Sequence, residues 1–328
     1  MADVPVLVIG ECLVDLAPRG EAPEGLAAKS YLALPGGSPA NVAVGLARLG
    51  VRTGFAGRFS AEGFGPWLRE HLSSNGVDLS ASVDATEPAT LAVVTLDPEG
   101  RASYTFYGPE TADWQWSAGE LPGPTSGFAA VHTGSLATTF EPGASVLAKW
   151  LRAVHEGGDS VVSFDPNVRA GLVGDLTAYR SRLEQLLACA HIVKASDDDL
   201  AVVYPGSSME RVAESWLSRG VALVVVTEGP RGARAFHASG AQAACAPPEV
   251  EVVDTIGAGD AFSAGLLAYL ASAGALTPEG VVSLSTEELE RAIGCAVAAS
   301  AFTCTRPGAD PPTATELAAF CEMTAVRR

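Results

Sequence analysis

The chain has 328 residues and carries 38 acidic against 21 basic side chains, a net charge of −17. This balance excludes nucleic acid and anionic membranes as expected partners, because both bind through a basic surface. Hydrophobic residues make up 48% of the chain, which excludes a disordered chain and predicts a soluble globular protein of about two domains, or one large domain with an appendage.

Signals for export or metal binding are not found. The first residues, MADVPVLVIG, lack the basic segment of a signal peptide, and the longest apolar run, Ala261 to Leu276, is shorter than the roughly 18 residues of a membrane-spanning helix. The six cysteines form no CxxC pair, so we expect them to be reduced and mostly buried as small hydrophobes. A cytoplasmic protein is predicted.

The N-terminal segment predicts a buried strand followed by acids. Val4 to Ile9 is a continuous apolar run, and Glu11 and Asp15 come just after it. Ligands of α/β proteins bind beyond the carboxyl ends of strands, so an acid at this position is a candidate acceptor for a ligand hydroxyl. A solvated loop acid is the alternative interpretation.

The next stretch, LPGGSPANVAVGLARLG, predicts an amphipathic helix after a turn. Gly36 and Gly37 make the turn, Ser38 is the predicted N-cap, and Pro39 occupies the first helical position. Helix formation explains nearly every residue here except Asn41 and the paired glycines.

Two segments with a period of two residues predict a small β-sheet within residues 11–35 and 87–112. Its predicted strands are Cys12 to Ala17, Ser30 to Leu34, Leu91 to Leu96 and Ala102 to Tyr107, the last two joined by a turn at residues 97–100. Aromatic residues cluster nearby: Phe106, Tyr107, Trp114 and Trp116. They would cover a ligand, contact a second subunit as a homodimer, or pack within the sheet.

From residue 129 onward, predicted strands alternate with helices. Strands end at Gly134, Asp165, Lys194 and Thr227, and helices are predicted over residues 141–156 and 176–190. This alternation predicts right-handed βαβ crossovers and a mainly parallel sheet.

Three turns follow strands of this region, and each has a structural as well as a functional interpretation. DPNVR forms an Asx-Pro turn and carries Arg169. In KASDDDL, Ser196 is a predicted helix N-cap with Asp199 in the first turn. TEGPRG, with Thr227, Gly229 and Gly232, connects two strands.

The stretch EVVDTIGAGDAFSAGLLAYL predicts a strand, a tight turn and a helix in immediate succession. The first N–H groups of that helix lack intrahelical partners, so the Gly257-Ala258-Gly259 turn favours a bound anion. Asp260, beside this anion site, is a candidate general base. The alternative is a glycine-rich helix start with an ordinary first-turn carboxylate.

DTIGAGDAF resembles the C-terminal signature of the PfkB, or ribokinase-like, carbohydrate kinases, and GGSPAN resembles their N-terminal signature. The resemblance extends from Val6 to about Pro312. It implies one ribokinase-like domain over residues 1–328, with a three-layer α/β/α fold, a mainly parallel central sheet, and the small sheet of residues 11–35 and 87–112 as an inserted lid.

The resemblance also implies roles for individual residues. Asp260 would be the general base, the Gly257-Ala258-Gly259 turn would hold the transferring phosphoryl group, and Arg169 would lie near it. The sugar would bind at Asp15 and Asn41, with Gly36 and Gly37 as the hinge of the lid. ATP would bind at Lys194, Ser196, Thr227, Gly229, Gly232, Gly257 and Gly259.

Two ions belong to the same expectation. Asp199 would organise Mg²⁺ through water, and a monovalent cation, K⁺, would bind mostly to carbonyls around Asp254, Ile256, Thr303, Gly308 and Pro312. Val297 departs from the family, because Asn or His is frequent there, and this leaves the adenine contact at that position undefined.

The predicted activity is ATP-dependent phosphorylation of a monosaccharide or sugar acid. KASDDDL and FDPNVR resemble the fructokinase branch most, followed by ketodeoxygluconate kinases and then ribokinases or nucleoside kinases.

A P-loop kinase is excluded, because none of the three lysines follows a glycine. A dinucleotide-binding enzyme would need a third glycine after GAG. A catalytically silent sugar- or nucleotide-binding regulator is the non-enzymatic alternative, and the presence of Asp260 argues against it.

Overall fold

A central sheet organises the chain in the computed structural model, which describes residues 5–20, 29–96, 102–108, 110–125 and 127–325. Its eight strands within those ranges are β1 (Val6–Ile9), β4 (Thr53–Ala56), β9 (Ala130–Gly134), β10 (Val161–Asp165), β11 (Ile192–Ser196), β12 (Leu223–Thr227), β13 (Ala233–His237) and β14 (Gln242–Cys245). They lie in the order β14-β13-β12-β11-β10-β9-β1-β4. All neighbours from β4 to β12 are parallel, and β13 and β14 add antiparallel strands at one edge.

Helices cover both faces of this sheet. Successive residues of a strand point to opposite sides, so a strand of consecutive apolar residues has two faces to bury. Val6 and Val8 of β1 belong to one buried cluster, and Leu7 and Ile9 belong to the other. Helices contributing to the first cluster are α1 (Ser38–Arg48), α2 (Gly65–Ser74), α7 (Ala258–Ser272) and α9 (Thr286–Thr303). Those of the second are α3 (Gly143–Gly157), α4 (Leu176–Leu187), α5 (Asp197–Val203) and α6 (Met209–Leu217). The predicted three-layer α/β/α fold is confirmed.

The remaining helices and strands are peripheral. Helix α8 (Pro278–Val282) follows α7, α10 (Ala314–Ala325) packs on α9, and β5 (Arg58–Ser60) pairs with β6 (Val83–Ala85). Among the described residues, no helix combines the length and the apolar character needed to cross a membrane.

A second, four-stranded sheet forms from the segments that show a period of two. Its described strands are β2 (Leu13–Pro18), β3 (Tyr31–Gly36), β7 (Leu91–Leu96) and β8 (Ala102–Tyr107), in the order β3-β2-β7-β8. The predicted β7–β8 hairpin is present, and its predicted turn at residues 97–100 lies outside the described residues. We refer to these four strands as the second sheet.

Two local predictions near the signatures are wrong. Val252 and Val253 form no strand; both side chains are exposed, and the backbone N–H of Val253 donates to the carbonyl of Cys304 in the loop after α9. Ser38 is not the N-cap of α1, since Gly37 takes that position with φ 103° and Ser38 is the first helical residue.

One burial prediction is wrong, and burial also decides between the alternatives left open for the aromatic residues. All six cysteines are free, but only Cys12 and Cys189 are buried, and Cys321 is exposed. Trp114 and Trp116 lie in the core, where Trp114 packs against Phe140, so these two aromatic residues neither cover a ligand nor contact a second subunit.

The order of the strands determines where a ligand binds. β1 lies between β4, the next strand of this sheet along the chain, and β9, so the chain direction across the sheet reverses at β1. The carboxyl ends of strands beside such a reversal leave a crevice between the connections. The turns that follow β1, β9, β10 and β11 therefore converge at this edge.

Candidate active site

A cavity of about 280 Å³ lies at this edge, between the central sheet, the second sheet and the start of α7. Its wall gathers predicted site residues that are distant in the sequence. They are Asp15, Gly37, Asn41, Arg169, Lys194, Ile256, Gly257, Gly259 and Asp260. Gly36 and Ala258 do not line the cavity themselves but are next in the sequence to residues that do.

The turn before α7 is shaped for close approach. Gly257 is the N-cap with φ 74°, a left-handed conformation that glycine adopts without strain, and a Cβ there would lie 2.6 Å from Cβ of Ala309. A Cβ on Gly259 would lie 2.9 Å from Nζ of Lys194. The first N–H groups of α7 and this ammonium group thus lie side by side, which suits a phosphate.

Lys194 is held in place by a buried ion pair. Its Nζ lies 2.8 Å from Oδ2 of Asp165, and the two side chains are 8% and 1% exposed. Burial disfavours the ammonium form, but the charge and hydrogen bond of Asp165 outweigh it and raise the pKa of Lys194. A positive charge is therefore fixed beside the α7 turn.

Asp260, in the first turn of α7, has both carboxylate oxygens hydrogen-bonded to α1. The Ser38 hydroxyl donates to Oδ1 at 2.6 Å, and Nδ2 of Asn41 donates to Oδ2 at 2.8 Å. Asp260 is 7% exposed and lines the cavity. The carboxylate therefore has a fixed orientation at the site where a ligand hydroxyl would lie.

Asp15 reaches the cavity from β2. Burial raises its pKa to about 6, the positive charge of Arg169 opposes that rise, and the negative charge of Asp260 adds to it. A Cβ on Gly36 would lie 2.2 Å from Oδ2 of Asp15, so only glycine leaves room for this carboxylate. Asp15 and Arg169 together can accept and donate hydrogen bonds to a polyhydroxy ligand.

Several cavity residues were not predicted from the sequence. They are Leu13, Ser38, Tyr104, Ser135, Leu136, Asn167 and Thr255. Tyr104 and Phe106 are two residues apart on β8 and so share a face, a signal that the alternation of the strand carries. Glu11 is buried, and that burial raises its pKa to about 7.

The DPNVR and KASDDDL turns both contribute to the cavity wall, and they also contact each other. The Asx turn is confirmed, since N–H of Asn167 donates to Oδ1 of Asp165, and Ser196 and Asp199 form the predicted capping box of α5. Oδ1 of Asp199 also accepts the N–H of Val168 at 2.7 Å. Asp199 thus ties the start of α5 to the DPNVR turn.

The predicted nucleotide loop forms the connection from β12 to β13 and does not line the cavity. Thr227 ends β12, Gly229 begins a short 3₁₀ turn, and Gly232 has φ 93°. A Cβ on Gly232 would lie 1.9 Å from the carbonyl oxygen of Cys245. Val297 is buried within α9.

The predicted cation residues lie in the loop before α7 and from the end of α9 into the loop after it. Asp254 accepts the N–H groups of Thr255 and Ile256 through Oδ1 and that of Gly308 through Oδ2, at 2.7, 3.1 and 2.8 Å. The carbonyls of Thr303 and Gly308 accept N–H groups within their own loop, and Pro312 is buried. Asp254 therefore connects the chain before α7 to the loop after α9.

Comparison with known proteins identifies relatives across nearly the whole chain. Residues 5–316 match the pfkB family carbohydrate kinase family. A fructokinase of Rhizobium leguminosarum bv. trifolii is 34% identical over 285 residues, which cover 87% of this chain and 85% of the relative. A fructokinase of Klebsiella pneumoniae is 36% identical over 284 residues, covering 86% and 89%.

Solved structures show the same similarity in three dimensions. A fructokinase from Xylella fastidiosa with bound ATP superposes with a TM-score of 0.86 at 28% identity, covering 98% of this chain and 99% of that one. A double mutant of fructokinase from Vibrio cholerae O395, with fructose, ADP and potassium bound, gives a TM-score of 0.82 at 28% identity and covers 98% of both chains.

Proposed function

Because the chain belongs to the pfkB family of carbohydrate kinases, and is therefore an ATP-dependent sugar kinase, we propose that it phosphorylates a hydroxyl group of fructose. One observation carries the reaction: the buried Asp260 carboxylate, the start of α7 and the Lys194 ammonium group border one cavity. A proton acceptor and a site for phosphate charge are thus present together.

In the proposed reaction, Asp260 accepts the proton of the attacking hydroxyl. The sugar oxygen forms a bond to the γ-phosphorus of ATP as the bond to the β,γ-bridging oxygen breaks, and ADP leaves. Charge on the transferring group is stabilised by the N–H groups of the Gly257 to Gly259 turn, by Lys194 and by Arg169. Positioning and electrostatics supply the catalysis.

The described residues are compatible with Mg²⁺ bound chiefly by the nucleotide. They contain no group of three His, Cys, Asp or Glu side chains able to hold a metal ion, and Mg²⁺ commonly keeps its waters and binds substrate phosphates. Asp199 would contact it through water, since each carboxylate oxygen already accepts one N–H group and has a further lone pair. When bound, Mg²⁺ neutralises phosphate charge.

We assign the sugar to the side of the cavity nearest the second sheet. Asp15 would accept sugar hydroxyls, and Asn41, whose Nδ2 is used by Asp260, would present its Oδ1. Tyr104 and Phe106 on β8 would lie over the ligand, so the second sheet would act as its lid. Fructose is favoured over other sugars by the two fructokinase relatives and by the fructose-bound neighbour.

ADP release measured over a sugar panel tests this proposal. Fructose should give the highest kcat/KM among fructose, 2-keto-3-deoxygluconate, ribose and nucleosides, and Asp260→Asn should abolish most of that turnover. A preference for another sugar would change the assigned substrate but leave the kinase activity in place. Binding of sugar and ATP without any ADP release would indicate a silent regulator.

Potassium is a finer part of the proposal. A cation held by carbonyls between the Asp254 loop and the loop after α9 would stiffen the turn that presents the α7 amides. Turnover of enzyme in Tris buffer free of sodium should rise when KCl is added at constant ionic strength. An unchanged rate would mean that the hydrogen bonds of Asp254 order this turn alone.

The proposal also includes a homodimer formed through the second sheet and a cytoplasmic location in the cell. Tyr31, Leu32 and Tyr107 of the second sheet expose 37%, 42% and 60% of their surface, and such exposed apolar side chains would contact a second copy of the chain. Light scattering should give a dimer mass that Tyr107→Glu lowers. We also propose that the reaction takes place in the cytoplasm, which cell fractionation would check.

A further inference from the structure

The orientation of Asp260 depends on a serine that the mechanism above does not use. Ser38 donates its hydroxyl hydrogen to Oδ1 of Asp260 over 2.6 Å, although the two residues are 222 positions apart in the chain. The hydroxyl group has a single hydrogen to donate. This contact therefore takes the whole donor capacity of the side chain.

Ser38 has no capping role that would explain it. It is the first residue of α1, its side chain makes no cap hydrogen bond, and Gly37 is the N-cap. Ser38 is only 7% exposed, so its hydroxyl is largely removed from water and directed at another helix. The hydrogen bond is a tertiary contact to the carboxylate of α7.

We propose that Ser38 is a positioning residue for the general base. Torsion about the bond to a carboxylate is soft, so an unsupported Asp260 would sample many orientations. Ser38 and Asn41 hold one oxygen each, which fixes the carboxylate plane and leaves the remaining lone pairs to meet the sugar hydroxyl. The proposal rests on Asp260 acting as the base.

The same contact links the base to the second sheet. β3 ends at Gly36, and only Gly37 separates it from Ser38. Gly37 is packed so closely on the backbone of Glu11 that a Cβ would lie 2.5 Å from its carbonyl oxygen. A shift of β3 would therefore be transmitted to the donor that holds Asp260.

Ser38→Ala tests the proposal directly. We expect kcat to fall about 5- to 30-fold, with KM for fructose and for ATP within about twofold of wild type, because a positioned base acts in the transition state and not in substrate binding. Ser38→Thr, which keeps the hydroxyl, should recover most of kcat. Melting temperatures of all variants establish that they are folded.

Ser263→Ala is the matched control. Ser263 lies three residues after Asp260 on α7, is 3% exposed, and among the described residues its hydroxyl has no hydrogen-bond partner. Removing it should leave kcat and both KM values unchanged. A loss equal to that of Ser38→Ala would mean that any buried hydroxyl near Asp260 matters, and would overturn the proposal.

A double-mutant cycle with Asp260→Asn completes the test. Once the base is absent, adding Ser38→Ala should change the residual kcat by no more than about twofold. An equal loss in both backgrounds, or a rise in the KM for fructose at constant kcat, would overturn the positioning role. If Asp260→Asn itself keeps wild-type turnover, the base assignment fails instead, an outcome distinct from failure of Ser38 alone.

Discussion

The start of α7 and the second sheet border the same cavity but are built differently. Asp260 and Lys194 are buried, and their charged atoms are held by hydrogen bonds or an ion pair from other elements. On the second sheet, Tyr104 is 43% exposed and Asp15 is partly buried. One wall is fixed by the core, and the other lies at the surface.

This difference indicates that the two walls have different functions. Proton transfer and phosphate stabilisation need groups fixed to within a fraction of an ångström, which a packed core provides. A wall of exposed side chains on a separate sheet can change without disturbing the core. We therefore expect changes at the α7 wall to affect kcat and changes at the second sheet to affect the KM for sugar.

The largest expected effect is at the base. Asp260→Asn should lower kcat by about 10²- to 10⁴-fold, because the amide cannot accept the hydroxyl proton. Nucleotide binding, measured by calorimetry, should be retained. Wild-type turnover in this variant would remove Asp260 from the mechanism.

Breaking the ion pair under the α7 turn should affect both stability and turnover. Lys194→Met leaves Asp165 as an unpaired buried carboxylate and should lower the free energy of unfolding by about 3–5 kcal/mol. Adding Asp165→Asn should restore much of the stability but not the turnover, since the charge beside the phosphate remains absent.

An exposed ion pair provides the control for this experiment. Arg291 and Glu287 are 64% and 73% exposed, so Arg291→Met should change the free energy of unfolding by less than about 1 kcal/mol. Chemical denaturation measures the free energy of unfolding of Lys194→Met, of its double variant with Asp165→Asn, and of Arg291→Met. Recovery of turnover in the Lys194→Met, Asp165→Asn double variant would assign the pair to stability alone.

A smaller effect, on sugar binding, is expected at the second sheet. Asp15→Ala removes a hydrogen-bond acceptor worth about 1–3 kcal/mol, so the KM for fructose should rise about 5- to 150-fold while the KM for ATP stays near wild type. Steady-state kinetics with each substrate varied measures both. An equal rise in both constants would contradict the separation of the two walls.

Acidification should give the smallest change. Burial places the pKa of Asp15 at about 6, so the carboxylate gains a proton as the pH falls through 6 and loses its charge. At pH 5 the KM for fructose should be up to about tenfold higher than at pH 7, and Asp15→Asn should remove this dependence. A KM that stays constant from pH 7 to pH 5 in wild type would contradict it.

The sequence predicted the central sheet well because its signals are local. Val161–Asp165 is the strand that the apolar run indicates, and the period of two in residues 91–107 predicts the hairpin of the second sheet. The predicted strand at Val252 and Val253 was wrong, since β-branched residues favour a strand only where a partner strand is available. Ser38 was predicted to be the N-cap because serine is common there, but Gly37 takes that position.

What the sequence alone determined is the family, the reaction class and the fold, because the signatures GGSPAN and DTIGAGDAF are contiguous and their glycines and acid define the turn chemistry locally. Only the tertiary structure decided which residues meet: Ser38 and Asn41 on Asp260, Lys194 on Asp165, and Tyr104 over the cavity. These contacts join segments far apart in the chain, so they depend on how sheets and helices pack and not on any local pattern.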